Sequence, residues 1–377
     1  MHILIAPNAF KNSLTATDAA LAIEEGLMNS KLICTCECFP IGDGGDGTAE
    51  LIFQRQGGKR IEKEVRDPFG RPITASFGLV DEGRTAVIEM ADASGLRLLK
   101  GETLNPLLAT SYGTGQLIKY ALDEKVKRII IGLGGSATVD GGIGMLKALG
   151  VRFLDKDSSE ITLMPDSLFR LQGLDLTGLD NRIRECGIIA MCDVDNKLLG
   201  ERGAATIFGP QKGASLRDVL SLEEGLSKMR DIVLRDLGRD MGVIQYGGAA
   251  GGVAAGLSVF LDAQLVNGAA YFLKLTGFEK KLASADLIIT GEGCIDEQTL
   301  QGKGPFAVAQ LAKEKNLVVI GLAGRVPEGG NKAFREWFDV LLSIGSGPID
   351  IDIAMLYTKE NLVRMGREIG NLLAFRK

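Results

Sequence analysis

The chain has 377 residues, of which 45% are hydrophobic and 24% are charged, and its net charge is −5. This is the composition of a globular protein, and it excludes the disordered and fibrous classes. The acidic balance disfavours nonspecific binding to nucleic acid or to membrane surfaces, and no apolar run approaches the roughly 20 residues that span a bilayer.

Short β-branched runs alternate with helical patterns along the chain. The predicted strands lie at residues 2–7, 35–41, 86–91, 128–135, 187–193, 286–293, 318–324 and 339–345. Most of these runs are continuously apolar, which suits strands that are buried on both faces of a parallel sheet. After the first strand, Thr15 and Asp18 fit a capping box and predict the start of a helix. Strands that alternate with helices predict an α/β fold.

The distribution of these strands predicts two α/β domains. The last three strands resemble the first, so we expect all four in one mainly parallel sheet of the Rossmann or flavodoxin-like kind. The middle of the chain differs, because it begins with a turn-rich, hairpin-like stretch, DPFGRPITASFGLVDEGRTAVIEM. We therefore expect a discontinuous domain of residues 1–68 plus 262–377, with a second α/β domain, residues 69–261, inserted into it.

The histidine and cysteine content limits the catalytic groups and metal sites that this chain can have. His2 is the one histidine, which excludes a Ser-His-Asp triad and a His-rich metal site and leaves acid–base work to Asp, Glu, Lys or Tyr. Cys34, Cys36 and Cys38 alternate, so we expect them on one buried face of a strand, with a thiolate metal site as the weaker alternative. The N-terminal residues lack signal-peptide features, so we expect a cytoplasmic protein.

Two polar loops follow the first two predicted strands. In open α/β sheets, ligands bind beyond the carboxyl ends of the strands. PNAFKNSLT places Lys11 and Ser13 before a helix N-terminus, which favours an anion, although a solvated turn with an N-cap is the alternative. GDGGDGT, residues 42–48, supplies Asp43 and Asp46 as oxygen ligands suited to Mg²⁺, unless it is only a tight turn with Asx hydrogen bonds.

A glycine-rich loop, LGGSATVDGGIGM, follows the strand at residues 128–135. Gly134, Gly135, Ser136 and Thr138 lie between that strand and a helix, where free backbone N–H groups would stabilise a phosphate. The loop matches neither the Walker A nor the G-x-G-x-x-G pattern, and glycines that permit close packing are the alternative. Asp140 either caps the helix or holds a cation through water.

Three further loops carry candidate groups. TSYGTGQL, residues 110–117, is equally consistent with a phosphate cradle and an N-cap. CDVDN places Asp193 and Asp195 directly after a buried strand, and nearby FGPQKGA holds Lys212 in a tight loop.

The last candidate loop, TGEGCIDEQTLQGKGP, follows the strand at residues 286–293. It combines Glu292, Asp296 and Lys303 in one glycine-rich segment. Phosphoryl transfer needs this combination, because a metal offsets the phosphate charge, a lysine stabilises the transferring oxygens and a carboxylate orients the nucleophile.

Taken together, these motifs resemble the bacterial type-1 glycerate kinase family over essentially the whole chain. The stretches that carry the resemblance, in the family's order, are APNAFKNSLTA (6–16), GDGGDGT (42–48), TSYGTGQLI (110–118), GLGGSATVDGGIGML (132–146), CDVDNKLLG (192–200), FGPQKGA (208–214), GAAGGVAAGL (248–257) and TGEGCIDEQTLQGKGP (290–305). Three positions depart from the family pattern: Asn12 stands for Gly, Asp46 for Glu and Cys294 for Arg. The last change removes a guanidinium beside the acidic loop.

The resemblance implies ATP-dependent phosphorylation of D-glycerate with Mg²⁺, and it favours 2-phosphoglycerate over 3-phosphoglycerate. It also implies two α/β domains, one inserted in the other, with the site in the cleft between them. The residue roles are hypotheses from side-chain chemistry. The predicted groups are Asp193, Lys11 and Lys303 for catalysis; Ser13, Lys212 and Arg325 for substrate; Gly134, Gly135, Ser136 and Thr138 for nucleotide; and Asp43, Asp195, Glu292 and Asp296 for the metal.

Two other functions stay open. One is a kinase of another small hydroxy acid or polyol, and the other is a nonenzymatic two-domain protein that binds a ligand. Acidic residues in several strand-end loops favour the enzyme, because a simple anion binder gains nothing from them. We expect D-glycerate and ATP as ligands, with no nucleic-acid or membrane partner, and the sequence leaves a homodimer open.

Overall fold

Two main sheets form the framework of the structure, a computed structural model that describes residues 1–161, 165–297, 299–327 and 332–375. The strands are β1 (His2–Ile5), β2 (Thr35–Cys38), β3 (Lys59–Arg66), β4 (Pro72–Val80), β5 (Thr85–Glu89), β6 (Arg128–Gly132), β7 (Arg152–Leu154), β8 (Gly173–Asp175), β9 (Gly187–Cys192), β10 (Gln264–Asn267), β11 (Leu287–Cys294), β12 (Val318–Arg325) and β13 (Val340–Ser343).

Helices connect most of these strands. They are α1 (Ala16–Met28), α2 (Thr48–Gln56), α3 (Ala91–Ser94), α4 (Tyr112–Asp123), α5 (Ile143–Ala148), α6 (Ala204–Phe208), α7 (Leu216–Leu237), α8 (Val253–Leu261), α9 (Gly268–Leu275), α10 (Phe278–Leu282), α11 (Gly304–Glu314), α12 (Lys332–Arg335), α13 (Ile351–Leu356) and α14 (Thr358–Ala374). The predicted helix start is present, since Thr15 caps α1 and accepts a hydrogen bond from the amide of Asp18 at 3.1 Å. The carboxylate of Asp18 accepts from the hydroxyl of Thr15, at 2.7 Å, so the contact is an N-cap with a side-chain bond and lacks the backbone bond of a full capping box. In the described ranges, none of the helices combines the length and the hydropathy needed to cross a membrane.

The contacts divide the chain into two units. The first unit comprises Met1–Asp43 with Ala269–Lys377, and the second comprises Gly44–Gly268. The sequence placed the boundaries near residues 68 and 262. The difference at the first boundary arises from α2 and β3, which belong to the second unit, since β3 pairs with β4 along its whole length.

The first unit is built on the sheet β13–β12–β11–β1–β2, in which every pairing is parallel. The prediction that the last three strands join the first is therefore confirmed. Ile3, Ile5 and Ile289 are completely buried, and they belong to one apolar cluster with Ile23 of α1 and Leu362 of α14. Burial of this strand surface beneath helices explains why the runs are continuously apolar.

The alternating cysteines lie at the edge of this sheet. Cys34, Cys36 and Cys38 are half-buried and pack against the core cluster of the first unit, with 3.9 Å between the sulfurs of Cys34 and Cys36. Burial raises the pKa of Cys36 and of Cys38 to about 12, so both thiols are protonated at neutral pH.

The second unit contains the mixed sheet β10–β9–β6–β5–β4–β3. β3, β4 and β5 are joined by antiparallel pairings, whereas β5, β6, β9 and β10 run parallel. The hairpin-like entry predicted for this unit is therefore present. Its parallel part brings the carboxyl ends of β5, β6 and β9 to one edge of the sheet, which is where α/β proteins bind ligands.

Candidate active site

A pair of buried carboxylates lies at the carboxyl edge of the first unit's sheet. Asp43 follows β2 and Glu292 lies near the end of β11, and they are 5% and 7% exposed. Asn8, which follows β1, donates from its amide nitrogen to Asp43 at 2.8 Å. The hydroxyl of Thr299 donates to Glu292 at 2.9 Å. Neutral donors thus hold both side chains in place.

Two lysines act electrostatically on Glu292. Burial and the neighbouring Asp43 carboxylate together raise the pKa of Glu292 to about 7, against the opposing effect of Lys303 and Lys11. Lys303 is the N-cap residue of α11, so its charge stands at a helix N-terminus. Two buried carboxylates with an exposed lysine, Lys11, and a half-buried lysine, Lys303, near Glu292 can bind and polarise a phosphate group.

The loop that carries Lys11 has an unusual backbone at its next residue. Asn12 has φ +63°, in the left-handed region that favours glycine and that Asn tolerates better than other side chains. The replacement of the family's Gly by Asn therefore keeps the loop conformation. Ser13, predicted to bind substrate, donates its hydroxyl proton to the carbonyl of Met355 at 2.6 Å.

The ends of β11 and β12 lie side by side at Cys294. The thiol of Cys294 is 3.6 Å from a carboxylate oxygen of Asp296, and the backbone of Cys294 is in register with that of Arg325. Burial raises the pKa of the Cys294 thiol, Asp296 adds to this increase, and Arg325 opposes it. The guanidinium of Arg325 therefore lies within electrostatic range of the position at which the family pattern has its Arg. Gln298 of this loop lies outside the described residues.

In the second unit, two glycine-rich loops pack backbone to backbone beside β6. The amide of Gly134 donates to the carbonyl of Gly44 at 2.8 Å, and a Cβ on Gly134 would lie 2.3 Å from the Cα of Gly45. Gly135 has φ +72°, and a Cβ there would meet the carboxylate of Asp46 at 2.7 Å. The glycines are thus required by close approach and by a left-handed backbone, in addition to any ligand.

A buried lysine joins this loop. The ammonium of Lys212, 3% exposed, donates to the hydroxyl of Ser136 at 2.8 Å and to the carbonyl of Thr138 at 2.7 Å. Burial lowers the pKa of Lys212 to about 7, while the carboxylates of Asp140 and Asp193 act in the opposite direction. The structure therefore brings Lys212, predicted for the substrate, together with residues predicted for the nucleotide.

Asp140 is a structural residue of the same loop. Its carboxylate accepts hydrogen bonds from the amide and hydroxyl of Ser111, at 2.8 and 2.7 Å, and from the amides of Gly142 and Gly144, at 3.0 and 3.2 Å. These four donors occupy the carboxylate that the sequence left open between a helix cap and a cation ligand. Asp140 thus caps the start of α5 and ties it to the TSYGTGQL segment.

Glu89 is a buried acid that the sequence reasoning missed. It ends β5 and accepts hydrogen bonds from the amides of Gly47, at 2.7 Å, and Ala49, at 3.3 Å, at the start of α2. Burial raises the pKa of Glu89 to about 7, although these amides and Arg97 oppose the increase. An acid inside an apolar strand run is a signal of a specific partner, because an unpaired buried carboxylate is costly.

The two aspartates after β9 have different environments. Asp193 is half-buried, and its charge acts on Lys212. Asp195 is exposed and lies 3.8 Å from the guanidinium of Arg202.

The predicted magnesium ligands are only partly brought together. The part of the chain that the structure describes contains no group of three or more His, Cys, Asp or Glu side chains placed to hold a metal ion. Asp43, Glu292 and Asp296 belong to the first unit and Asp195 to the second. Mg²⁺ commonly takes one or two carboxylates together with water and phosphate oxygens, so the Asp43–Glu292 pair fits that cation without further protein ligands.

Comparison with known proteins identifies the family of this chain. A model described as "Glycerate kinase family" matches residues 3–374. The chain belongs to the glycerate kinase family. It is 43% identical over 370 residues to the glycerate kinase of Bacillus subtilis strain 168, covering 98% of this chain and 97% of that one. It is 40% identical to the glycerate 2-kinase of Escherichia coli K12, with 99% and 98% of the two chains covered.

A solved structure agrees with this assignment. It is the crystal structure of a Salmonella typhimurium LT2 protein that is described provisionally as glycerate kinase 2, and it superposes on this chain with a TM-score of 0.80 at 40% identity. The match covers 99% of this chain and 98% of that one. This member of the glycerate kinase family is therefore an enzyme, a phosphotransferase with two α/β units.

The structure sorts the predicted site residues into two sets. The first unit assembles Lys11, Asp43, Glu292, Asp296, Lys303 and Arg325, and the second assembles Gly134, Gly135, Ser136, Thr138, Asp193 and Lys212. Two predicted residues join neither set. The hydroxyl of Ser13 donates a hydrogen bond to the carbonyl of Met355, and Asp195 is exposed to solvent. Besides Glu89, the sequence reasoning missed Asn8 and Thr299, both of which lie in candidate loops and bond to predicted carboxylates.

Proposed function

We propose that the protein transfers the terminal phosphoryl group of ATP to the 2-hydroxyl of D-glycerate. The observation that carries the proposal is the buried Asp43–Glu292 pair, with Lys11 and Lys303 acting on the Glu292 carboxylate, in a chain of this family. The name of the Escherichia coli relative, glycerate 2-kinase, supports the 2-hydroxyl as acceptor.

In this proposal the 134–138 loop holds the nucleotide phosphates. Gly134 and Gly135 pack against residues 44–46 and set the turn of this loop. Ser136 and Thr138 add hydroxyl groups beside them. Asp140 is assigned to holding the loop, since its carboxylate is already engaged by four donors.

Lys303 and Lys11 stabilise the transferring phosphoryl group. Its transition state is loose and spreads negative charge over the oxygens, so positive charge placed beside those oxygens contributes to catalysis. Both lysines already act on the Glu292 carboxylate in the ligand-free protein. A phosphate that binds here adds negative charge next to them, where it is stabilised.

Magnesium fits the carboxylate pair of the first unit. Asp43 and Glu292 would hold it, with Asp296 as a nearby carboxylate, and the cation would supply charge neutralisation to the phosphate oxygens. Holding a cation would also favour the ionised form of Glu292, whose pKa burial raises to about 7.

Asp193 is proposed to orient the attacking hydroxyl of glycerate. A strong base is not required, because little proton transfer is needed before a loose transition state. Ser13 and Arg325 are proposed for the glycerate carboxylate. Arg325 suits this role because a guanidinium can bind a carboxylate through two hydrogen bonds.

Two measurements test these assignments. Phosphorus NMR of the product distinguishes 2-phosphoglycerate, the expected product, from 3-phosphoglycerate, which would refute the proposed acceptor. Asp193→Asn should lower kcat by about a hundredfold or more while the fold is retained. Glu201→Gln, at an exposed position of the same unit, serves as the control with unchanged kcat. Near-normal turnover of Asp193→Asn would remove Asp193 from the mechanism.

A further inference from the structure

In its ammonium form, Lys212 has one more proton than the described residues accept. An ammonium group carries three protons. The described residues accept two of them, through the hydroxyl of Ser136 and the carbonyl of Thr138. The side chain is 3% exposed, so bulk water cannot readily accept the third.

Thr138, whose carbonyl accepts from Lys212, supplies a second unsatisfied group. Its hydroxyl oxygen is fully buried and has no hydrogen-bond partner among the residues that the structure describes. Buried polar groups nearly always have partners, and a threonine hydroxyl can donate one proton. The ammonium form of Lys212 and the hydroxyl of Thr138 would both retain a donor where Lys212 contacts the glycine-rich loop. Two such donors match a ligand with acceptor oxygens, such as a phosphate.

The charges around Lys212 keep its protonation sensitive to such a ligand. Burial lowers the pKa of Lys212 to about 7, and the carboxylates that act on it are Asp140 and Asp193. The carboxylate of Asp140 is bonded to Ser111, Gly142 and Gly144, so it contributes charge to the lysine but no hydrogen bond. A bound phosphate would add negative charge and favour the ammonium form.

We propose that Lys212 and Thr138 together bind a phosphate oxygen of ATP, and that Lys212 takes up one proton from solvent when the nucleotide binds. This inference rests on the proposed function and moves Lys212 from the predicted substrate group to the nucleotide group. In this step the neutral amine of Lys212 takes one proton from solvent and becomes an ammonium that pairs with a phosphate oxygen of ATP. No bond within ATP is formed or broken. Lys212 has one pKa in the free protein and a higher one in the ATP complex. Between these two values, ATP binding must weaken about tenfold for each unit by which the pH rises.

Isothermal titration calorimetry measures the proton directly. ATP with MgCl₂ is titrated into the full-length protein without glycerate at pH 8.0, in buffers that differ in their enthalpy of ionisation. The phosphates of ATP are then ionised, so their own proton release is small. We expect uptake of most of one proton per nucleotide, and ATP binding that is up to about tenfold weaker at pH 8.5 than at pH 7.5.

Two variants test whether Lys212 is the group that takes up this proton. Lys212→Met keeps the shape of the side chain without its titratable group, so the proton uptake and the pH dependence should both disappear. Thr138→Val is nearly isosteric, and it should weaken ATP binding about five- to tenfold while the proton uptake persists. Thermal unfolding of each variant checks that the fold is intact, and the wild-type titration stands even if a variant fails to fold.

The outcomes separate this inference from the proposed function. ATP binding without proton uptake, or unchanged uptake in Lys212→Met, would overturn the inference even if the wild-type enzyme phosphorylates glycerate. Absence of ATP binding would overturn it as well, and only a parallel loss of glycerate-dependent ADP formation would also refute the proposed function.

Discussion

The buried carboxyl of Glu89 makes the stability of the second unit depend on pH, and a single substitution removes that dependence. The side chain is 4% exposed and is held by the amides of Gly47 and Ala49 at the start of α2. Burial raises its pKa from 4.5 to about 7. An acid whose pKa is higher in the folded than in the unfolded protein destabilises the fold wherever it is ionised.

The sign and size of this effect follow from the two pKa values. Below pH 4.5 the carboxyl is protonated in both states and there is no cost; the cost grows up to about pH 7 and is complete above it. Each pH unit in this window corresponds to about 1.4 kcal/mol, so the full cost is roughly 3 kcal/mol. Other buried acids, such as Glu292, contribute equally to the wild type and to a Glu89 variant.

Glu89→Gln tests this reasoning. The glutamine carbonyl can still accept the hydrogen bond from Gly47, but the side chain cannot ionise. We expect the free energy of unfolding of the variant, relative to the wild type, to increase by roughly 3 kcal/mol between pH 4.5 and pH 8. Urea unfolding followed by far-ultraviolet circular dichroism measures it, with Glu62→Gln on the exposed side of β3 as the control. A difference that stays constant across this pH range would refute the burial of an ionisable Glu89.

Three other substitutions give distinct expectations. Asp140→Asn should lower the free energy of unfolding by about 3 kcal/mol, because four donors converge on its carboxylate, and an unchanged urea midpoint would contradict this role. Gly134→Ala should destabilise the protein and weaken ATP binding, since its Cβ would lie 2.3 Å from a backbone atom, whereas Gly173→Ala, with 4.0 Å of space, should change stability by less than about 1 kcal/mol. Asp43→Asn should reduce kcat about a hundredfold in a steady-state assay with Mg²⁺, and full activity would remove it from the cation site.

The strand pattern of the first unit was predictable because its physical cause is local. Strands buried on both faces must be continuously apolar, and β1, β11 and β12 are such strands. β13 also has an apolar run, although it is a partly exposed edge strand of the sheet. β3 was missed for the opposite reason. Its sequence, KRIEKEVR, is mostly charged, and only Ile61 and Val65 turn towards the core. Because Ile61 and Val65 are four positions apart with Lys63 between them, their spacing fits a helix as well as a strand, and the local sequence carried no clear strand signal.

The loops that form the candidate site could be predicted from the sequence, but the side-chain contacts between those loops could not. Polar residues after buried strands indicated where chemistry lies, and most of the predicted residues do reach the carboxyl edges of the two sheets. The contact of Lys212 with Thr138 spans 74 positions and that of Gly47 with Glu89 spans 42, so no local pattern encodes either. The role of Asp140 was undecided for the same reason, since two of its four donors come from Ser111.

Glycerate-dependent release of ADP tests the central claim most directly. The purified protein is given ATP and Mg²⁺ with D-glycerate, L-glycerate or glycerol in a coupled assay of ADP formation. We expect rapid ADP release with D-glycerate and little with the other two alcohols. ADP formation that does not depend on D-glycerate, or none with any of the three, would contradict the proposed function.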